Sequence, residues 1–552
     1  MAVWSGLAVI LFALAAPRVD RPGLYYDEAF MGQQAKDFFE PERGIQHPAS
    51  TRQTELFGRP FPLRNAVYLG AFKSQLTIPG FALFGTSVRV LRLTTLAWSL
   101  LALLCTMLWA ERIVGAQAAA LGGILVALDP SYLFMSLYEW GPFTNIFLCR
   151  AAGFLLLTFG WTARRRAALA AGGLLLGLGV YSRADCAVVV AGAALALALV
   201  RPELIVEALQ RRRVDLGVAL AGAVLGASPM LISLGGLLAT SGSPVVSGRG
   251  DLAEKLRVLW TLLDGSHFLR LMEAGGRFDR MFEGSAEATL FGAAVVAGLL
   301  LAAARTLLRL RRGARLGGED FLWLTTVFVA AGMLALPGAV RAHHQLNVLP
   351  YPHLLLASLA VAGWRARRDR PRRLTPWLWA AVSIVGVAWV AVADLRVSAR
   401  TFALIEASGG RGRWSDALAH TAQELESEPS ARGISLDWGL HEPLLFMTRR
   451  ARLEEPIWGI RQAVREAGAW RFRGGARDLY LAHDRDYDLF GFGPRFLAAA
   501  RELARERPEL VEIRAHTDLE GKVSYWSVRI AADHELSLQR RFVIRLYEDA
   551  PE

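Results

Sequence analysis

The 552-residue sequence has little charge, three cysteines and almost no lysine. Charged residues are 20% of the chain and hydrophobic residues 53%, and this composition excludes a disordered chain. Three cysteines are too few for a disulfide framework or a zinc knuckle, and each lies in or beside an apolar run. We therefore interpret Cys105, Cys149 and Cys186 as small core residues.

The basic residues are unevenly distributed. The net charge is +12, but residues 395–552 contain 24 basic and 25 acidic residues, so the excess lies in the first 394 residues. That part is dominated by apolar runs, where basic residues indicate membrane orientation. We therefore expect membrane lipids as partners and no nucleic acid.

Long apolar runs are the main feature of the first 394 residues. A bilayer core needs about 20 helical residues, so these runs predict a polytopic α-helical membrane protein with about 11 transmembrane helices. The runs lie at 2–16, 90–110, 116–136, 143–161, 167–182, 185–200, 215–239, 288–304, 321–340, 352–364 and 376–394.

Four arginine-rich breaks, at 164–166, 211–213, 305–315 and 365–373, are separated from one another by two runs each. All four then fall on one side of the membrane, which the positive-inside rule makes cytoplasmic. The sequence thus predicts a multi-pass protein of the inner (plasma) membrane. Its transmembrane domain (1–394) has a first outer loop at 17–88, and a soluble periplasmic domain (395–552) follows.

Two segments allow a second interpretation. Residues 2–16 resemble a signal peptide, but no basic residue precedes them, which favours an uncleaved first span. Residues 66–85 are apolar enough for a span, but this would place Lys73 and Pro79 at mid-bilayer and reverse all later loops. We predict a helix at the outer interface instead.

The C-terminal domain has a mixed α/β pattern. GISLDWG (433–439) is typical of a buried strand followed by a turn, and 494–510 has helical periodicity up to a proline. Residues 510–530 resemble a hairpin around Glu520-Gly521.

Three acids in the predicted outer loops are candidate catalytic residues. Asp27 and Glu28 precede a predicted surface helix, where an N-cap or an interfacial aromatic belt is the structural alternative. Glu139 lies in an aromatic loop beside a span, and an acid there is costly unless it is paired or used.

Basic residues of the same predicted face are candidates for binding an anion. Lys73 is either an interfacial lysine or a phosphate ligand, and Arg183 either pairs with Asp185 or binds the same anion. The His343-His344 pair lacks the spacing of a zinc site on a helix, which favours contacts to a head group.

Several motifs together resemble a known family. An Asp-Glu pair heads the first outer loop, a segment ends in LFG (83–85), the second span contains RLTTLAWSLL (92–101), and a proline-aromatic loop follows the third span. This pattern is similar to the GT-C superfamily of membrane glycosyltransferases. Within it, the pattern most resembles the branch of protein O-mannosyltransferases and aminoarabinose lipid A transferases. The motifs cover residues 1–200, and 200–394 agree in topology alone.

The resemblance implies a chemistry. A GT-C enzyme would move a sugar from a polyprenyl-phosphate donor to a hydroxyl of a lipid, glycan or protein acceptor, with inversion. Asp27 resembles the family's catalytic carboxylate, and Glu28 and Glu139 would position Asp27, the acceptor or a divalent metal ion. The donor phosphate would be held by five basic residues: Lys73, Arg92, Arg183, His343 and His344.

Two departures leave the acceptor open. YEWGPF stands where relatives often carry a Ser-Arg-x-x-x-Asp pattern, and YSRAD stands where many carry Thr-Lys-Gly. The alternatives to a transferase are a secondary transporter, with polar residues near the bilayer midplane, and a membrane scaffold or receptor with an external partner-binding domain.

Overall fold

The computed structural model describes residues 2–41, 51–66, 68–232, 251–283, 287–369, 374–428, 430–457, 469–473, 475, 477–531 and 535–539. The end of the predicted run 215–239 and part of the arginine cluster 365–373 lie outside the described residues.

Up to residue 408, the regular structure of the described residues is helical apart from one small sheet. Those that carry the apolar runs are α1 (Ala2–Ala15), α4 (Val88–Val114), α5 (Ala116–Leu128), α6 (Pro130–Leu137), α7 (Phe143–Thr162), α8 (Arg166–Ser182), α9 (Cys186–Val200), α11 (Arg213–Ile232), α14 (Phe291–Arg311), α15 (Gly318–Ala335), α17 (Tyr351–Asp369) and α18 (Leu374–Ser408). The helices between them are α2 (Tyr26–Asp37), α3 (Phe72–Phe84), α10 (Pro202–Gln210), α12 (Leu252–Leu263), α13 (His267–Glu273) and α16 (Ala342–Gln345).

Seven helices of the described residues are long and apolar enough to cross a membrane. Two bent pairs raise this number to nine: α5 with α6, bent by 64°, and α9 with α10, bent by 100°. The helix from residue 2 and helix α8 are apolar but shorter. The predicted class, a polytopic helical membrane protein with a C-terminal domain that contains β-sheet, is confirmed, whereas the count of 11 spans remains a prediction.

Contacts between loops bring predicted cytoplasmic breaks together at one end of the bundle. Arg166 forms an ion pair with Asp215 at 3.0 Å, which joins the loops at 163–165 and 211–212. Nε of Arg365, near the end of α17, donates a hydrogen bond to Gln117 at 3.4 Å, at the start of α5. We call this the basic end of the bundle. The opposite end, which the first loop covers, is called the site end.

The site end is covered by the first loop, which follows α1. Its three-stranded antiparallel sheet has the order β1-β2-β3, formed by Arg52–Leu56, Arg59–Ala66 and Leu69–Gly70. Helix α3 has 13 residues and is about 20 Å long at 1.5 Å per residue, too short for a bilayer core of about 30 Å. This length favours the surface helix that the sequence predicts for 66–85.

The C-terminal domain follows α18, which passes residue 394 and ends at Ser408. Its elements are β4 (Arg432–Ser435), β5 (Arg452–Glu454), β6 (Ala469–Arg473), β7 (Asp478–His483), β8 (Val511–Thr517), β9 (Val523–Ile530), β10 (Glu535–Gln539), α19 (Leu418–Ser427), α20 (His441–Met447) and α21 (Phe492–Glu506). A five-stranded sheet has the order β5-β4-β7-β9-β8, with β4 parallel to both neighbours and the other pairs antiparallel. The predicted strand, helix and hairpin are present as β4, α21 and β8–β9.

Candidate functional site

Helix α2 presents the adjacent acids Asp27 and Glu28 at the site end. The helix begins at Tyr26, and the N-cap position is occupied by Tyr25, whose side chain makes no capping hydrogen bond. Asp27 is therefore not the N-cap, although both acids lie in the first turn, where negative charge is favourable. Glu28 is buried, whereas Asp27 keeps part of its surface accessible. The two acids have different environments.

Glu28 is fully engaged by Arg92 of α4. Nε of Arg92 donates to Glu28 Oε1 at 2.8 Å and Nη2 donates to Oε2 at 3.0 Å. The remaining donors reach the backbone carbonyls of Val19, Pro22 and Gly23 at 2.9, 2.8 and 3.2 Å. All five N–H groups of this buried guanidinium are thus used by protein. This leaves Arg92 no donor for a phosphate, and the geometry assigns it to fixing the first loop on α4.

Asp27 faces positive charge from two other elements. Burial raises the pKa of Asp27 to about 6. A hydrogen bond from the indole of Trp140 and the positive charges of Lys73 and Arg341 act in the opposite direction and lower this pKa. A carboxyl group with a pKa near 6 is mostly ionised at neutral pH and still accepts a proton readily. Asp27 thus has the properties of a general base.

Lys73 of α3 forms a buried ion pair with Glu139. Its Nζ lies 2.6 Å from Glu139 Oε2, and the two side chains are 3% and 2% exposed. Glu139 Oε1 accepts a hydrogen bond at 2.6 Å from the backbone N–H of Thr144, in the first turn of α7. Burial raises the pKa of Glu139, and the charge of Lys73 opposes this effect.

Gly141, two residues after Glu139, packs against two further predicted residues. It has φ of +67°, and a Cβ there would lie 3.2 Å from Arg183 Nη1 and 3.2 Å from the ring of His343. Two polar groups here are buried and have no hydrogen-bond partner among the described residues: Nη1 of Arg183 and Nδ1 of His343. The loop at 139–141 therefore contacts Lys73, Asp27, Arg183 and His343.

Asp185 ties two of the predicted basic residues together. It accepts a hydrogen bond from Nε of Arg183 at 2.7 Å, and its other oxygen lies 2.7 Å from Nδ1 of His344. Arg183 also donates to the carbonyl of His343 at 2.6 Å. The pairing of Arg183 with Asp185 that the sequence offered as an alternative is present, and it leaves one guanidinium nitrogen of Arg183 unused.

Two residues of the site were not singled out from the sequence. Trp140 faces Asp27 and stacks on Phe278 at 5.2 Å, and Arg341 lies over the same Phe278 ring at 4.0 Å. The Arg341 side chain is 42% exposed, and its guanidinium forms a long ion pair with Glu254 at 3.8 Å. Trp140 directly follows Glu139 in the YEWGPF segment, and this position is the sequence signal by which it could have been found.

The C-terminal domain packs against the first loop. Trp414 stacks on Tyr25 at 4.3 Å, and Trp438 contacts the rings of Tyr25 and Tyr26 at 5.6 and 4.5 Å. A Cβ on Gly23 would lie 2.2 Å from the carbonyl oxygen of Ser415, so only a glycine permits this approach. The domain thus supports the residues that precede Asp27.

The acids of the site do not fit a divalent metal ion. Both oxygens of Glu28 are bound to Arg92, and those of Glu139 are bound to Lys73 and Thr144. Within the described residues, no three His, Cys, Asp or Glu side chains are grouped for metal binding. Glu28 and Glu139 are thus already engaged by other groups, and the divalent ion that the family resemblance implies remains a prediction.

Comparisons with known proteins give one family match and several structural matches. The family described as dolichyl-phosphate-mannose-protein mannosyltransferase matches residues 76–232. No sequence among curated proteins gives a significant match.

The structural matches are distant in sequence. ArnT from Cupriavidus metallidurans, solved with undecaprenyl phosphate, is 13% identical with a TM-score of 0.50, over 96% of this chain and 97% of that one. The oligosaccharyltransferase of Archaeoglobus fulgidus is 16% identical with a TM-score of 0.47, over 82% of this chain. The chain covers 64% of the length of that protein.

The similarity to ArnT over almost the whole of both chains shows a common fold. The family match falls on the segment from α3 to α11, which includes Glu139 and Arg183. The predicted resemblance is confirmed: the chain is similar to GT-C membrane glycosyltransferases in the segment of the family match and in its fold.

Proposed function

We propose that the chain transfers a sugar from a polyprenyl-phosphate donor to a hydroxyl group of a lipid, glycan or protein acceptor. The observation that carries this proposal is Asp27, a partly accessible carboxylate with a pKa of about 6 that faces Lys73 and Arg341. A general base works best with a pKa near the working pH, and cations are needed where the phosphate leaves.

The reaction is a single displacement. The acceptor oxygen attacks the anomeric carbon while the bond from that carbon to the phosphate oxygen breaks, and the acceptor proton moves to Asp27. The sugar is transferred with inversion, and polyprenyl phosphate leaves with its electron pair. No general acid is required, because a phosphate is already a good leaving group.

The cations of the site differ in their availability to the phosphate. Arg341 is accessible and its one recorded ion pair, with Glu254 at 3.8 Å, is long and exposed, whereas Lys73 and Arg183 are buried and closely paired. We assign the phosphate to Lys73, Arg341, the free nitrogen of Arg183 and Nδ1 of His343. His344 orients Arg183 through Asp185, and Arg92 is left out because its donors are all occupied.

The positions of these residues favour a transferase over a secondary transporter. A transporter binds its substrate near the midplane, in broken helices. Asp27 and Glu139 instead lie at the site end, on α2 and on a loop, and Lys73 lies in the first turn of the short helix α3.

We place the site outside the cytoplasm, because the arginine-rich loops lie at the other end. A reporter fused after Ser408 should behave as periplasmic and one fused near Arg212 as cytoplasmic. A cytoplasmic result for the first fusion would contradict the external site.

The direct test is sugar transfer in membranes that contain the protein, supplied with a panel of radiolabelled polyprenyl-phosphate sugars. Transfer from at least one donor should depend on the protein and should be lost in Asp27→Asn. Glu512→Gln, an equivalent change of an exposed acid on β8, should retain it. If every donor of the panel remains unused, or if Asp27→Asn transfers normally, the proposal fails.

A further inference from the structure

The buried pair of Lys73 and Glu139 is built asymmetrically. The lysine Nζ lies 2.6 Å from Glu139 Oε2 and makes no further hydrogen bond within the described residues. The carboxylate has a second anchor, the backbone N–H of Thr144 at 2.6 Å. Glu139 therefore stays in place if Lys73 turns away, whereas Nζ of Lys73 has close contact with Glu139 alone among the described residues.

The charges around the pair give a second observation. Lys73 of α3 faces Glu139, Asp27 of α2 faces the same lysine, and Arg183 lies against Gly141 in the loop that carries Glu139. From α7, Glu139 receives hydrogen bonds from Thr144, which carries no charge. Lys73 is thus the group that compensates the charge of Glu139.

We propose that Glu139 is a displaceable counter-ion, so that a phosphate monoester binding to Lys73 releases the carboxylate, which then takes up one proton from solvent. The bonds balance simply: the ion pair of Lys73 with Glu139 is replaced by that of Lys73 with phosphate, and an O–H bond forms on Glu139. This inference rests on the proposed function, because Lys73 holds the phosphate of the donor there, and that phosphate becomes the monoester when the sugar leaves.

The physical reason is the cost of a buried charge. Once Lys73 is paired with a phosphate, an ionised Glu139 would be a buried, uncompensated carboxylate next to a dianion, which is strongly unfavourable. Burial already raises the pKa of Glu139 while Lys73 opposes the rise. Withdrawing that opposition raises the pKa further, so the proton is bound as the phosphate arrives.

The experiment measures the affinity of purified protein for undecaprenyl phosphate between pH 6 and pH 8.5, for the native chain and for Glu139→Gln. The ionisation of the ligand is the same for both proteins, so the ratio of the two affinities reports on residue 139. Glu139→Gln needs no proton, so it should bind more tightly than the native chain at pH 8. The ratio should fall by up to about tenfold for each pH unit below that, the limit for uptake of one proton.

Two further variants separate the possible results. Glu139→Asp keeps the carboxylate and should keep the pH dependence of the native chain, and Lys73→Met should lose affinity at every pH. If the ratio of the affinities of Glu139→Gln and the native chain does not change with pH, the counter-ion proposal is overturned. The phosphate site is still supported in that case if Lys73→Met binds more weakly than the native chain. Native affinity in Lys73→Met contradicts the proposed phosphate site itself.

A direct proton count covers the case in which Glu139→Gln does not fold. Calorimetry of undecaprenyl phosphate binding to the native chain at pH 8, in two buffers of different ionisation enthalpy, gives the number of protons taken up. The ligand is already dianionic at that pH because its second pKa is about 6. Uptake of about one proton supports the proposal, and uptake of none overturns it.

Discussion

Two buried ion pairs lie on either side of Asp27, and they differ in how many contacts hold them. Arg92 of the first pair uses all five N–H groups, two on Glu28 and three on backbone carbonyls. Lys73 of the second pair has close contact with a single partner in the described part of the chain, Glu139. A cation whose N–H groups are all hydrogen-bonded to protein holds chain segments together, whereas a cation with one partner can exchange that partner for a ligand. The first pair is therefore part of the scaffold and the second is part of the site.

The largest effect is expected from the residue between the two pairs. Asp27→Asn preserves size and can still accept a hydrogen bond from Trp140, but it cannot accept a proton. We expect transfer to fall by about 10²–10⁴-fold, the usual contribution of a general base. The measurement is sugar transfer by detergent-purified protein. A rate equal to the native one would remove Asp27 from the mechanism.

Stability of the same variant provides the control. The folded-state pKa of Asp27, about 6, is above its unfolded value, so ionisation of this group costs stability as the pH rises through 6. Asp27→Asn should therefore be more stable than the native chain at pH 7, by about 1–3 kcal/mol, and equally stable at pH 4. Thermal unfolding at the two pH values tests this, and a less stable variant at pH 7 would show that Asp27 is a structural residue.

The scaffold pair should respond through folding. Glu28→Gln leaves Arg92 as a buried cation without a counter-charge, which costs about 3–5 kcal/mol. We expect a lower unfolding temperature and a reduced yield, with the activity per folded molecule largely retained. A folded, fully stable Glu28→Gln protein with no activity would instead place Glu28 in the chemistry.

The exchangeable pair should respond through both binding and folding. Lys73→Met removes a charge-assisted contact worth roughly 1.5–3 kcal/mol, or about ten- to a hundredfold in use of the donor. It also leaves Glu139 unpaired, so Lys73→Met with Glu139→Gln should recover stability without recovering donor use. If the double variant recovers both, Lys73 has only a structural role.

The smallest effect is expected from pH alone. Asp27 must be ionised to act as a base, so the transfer rate should fall below pH 6 and reach about a tenth of its plateau at pH 5. Because Glu28 is held by Arg92, Glu28→Gln should leave the midpoint of this profile unchanged. A profile that is flat from pH 5 to pH 8 would contradict Asp27 as the base.

The sequence predicted those parts of the molecule that follow from periodicity and charge. Apolar runs and their arginine-rich breaks predict the helices and the basic end, and the position of the Asp-Glu pair predicts the surface helix behind it. Strand and turn patterns predict β4 and the β8–β9 hairpin. These signals are local in the sequence. They predict the elements correctly because each helix or strand must bury its own apolar face.

The partners of individual side chains were not predictable in the same way. Arg92 was assigned to the phosphate because it is basic and near the outer face, but its donors meet backbone carbonyls 69 to 73 positions away. Arg341 was overlooked because nothing in the neighbouring sequence shows that its side chain faces Asp27. Whether a charge is saturated depends on the packing of distant segments, and periodicity does not report it.

The contact of Tyr25 with Trp414 has a consequence for biosynthesis. The ribosome makes Tyr25 early and Trp414 almost four hundred residues later, so the loop that carries Asp27 waits through most of translation for its final support. A chain that stops before Trp414 lacks the aromatic stack behind its own base. The loop around the carboxylate therefore has its full support only once the last part of the chain has been made and has folded.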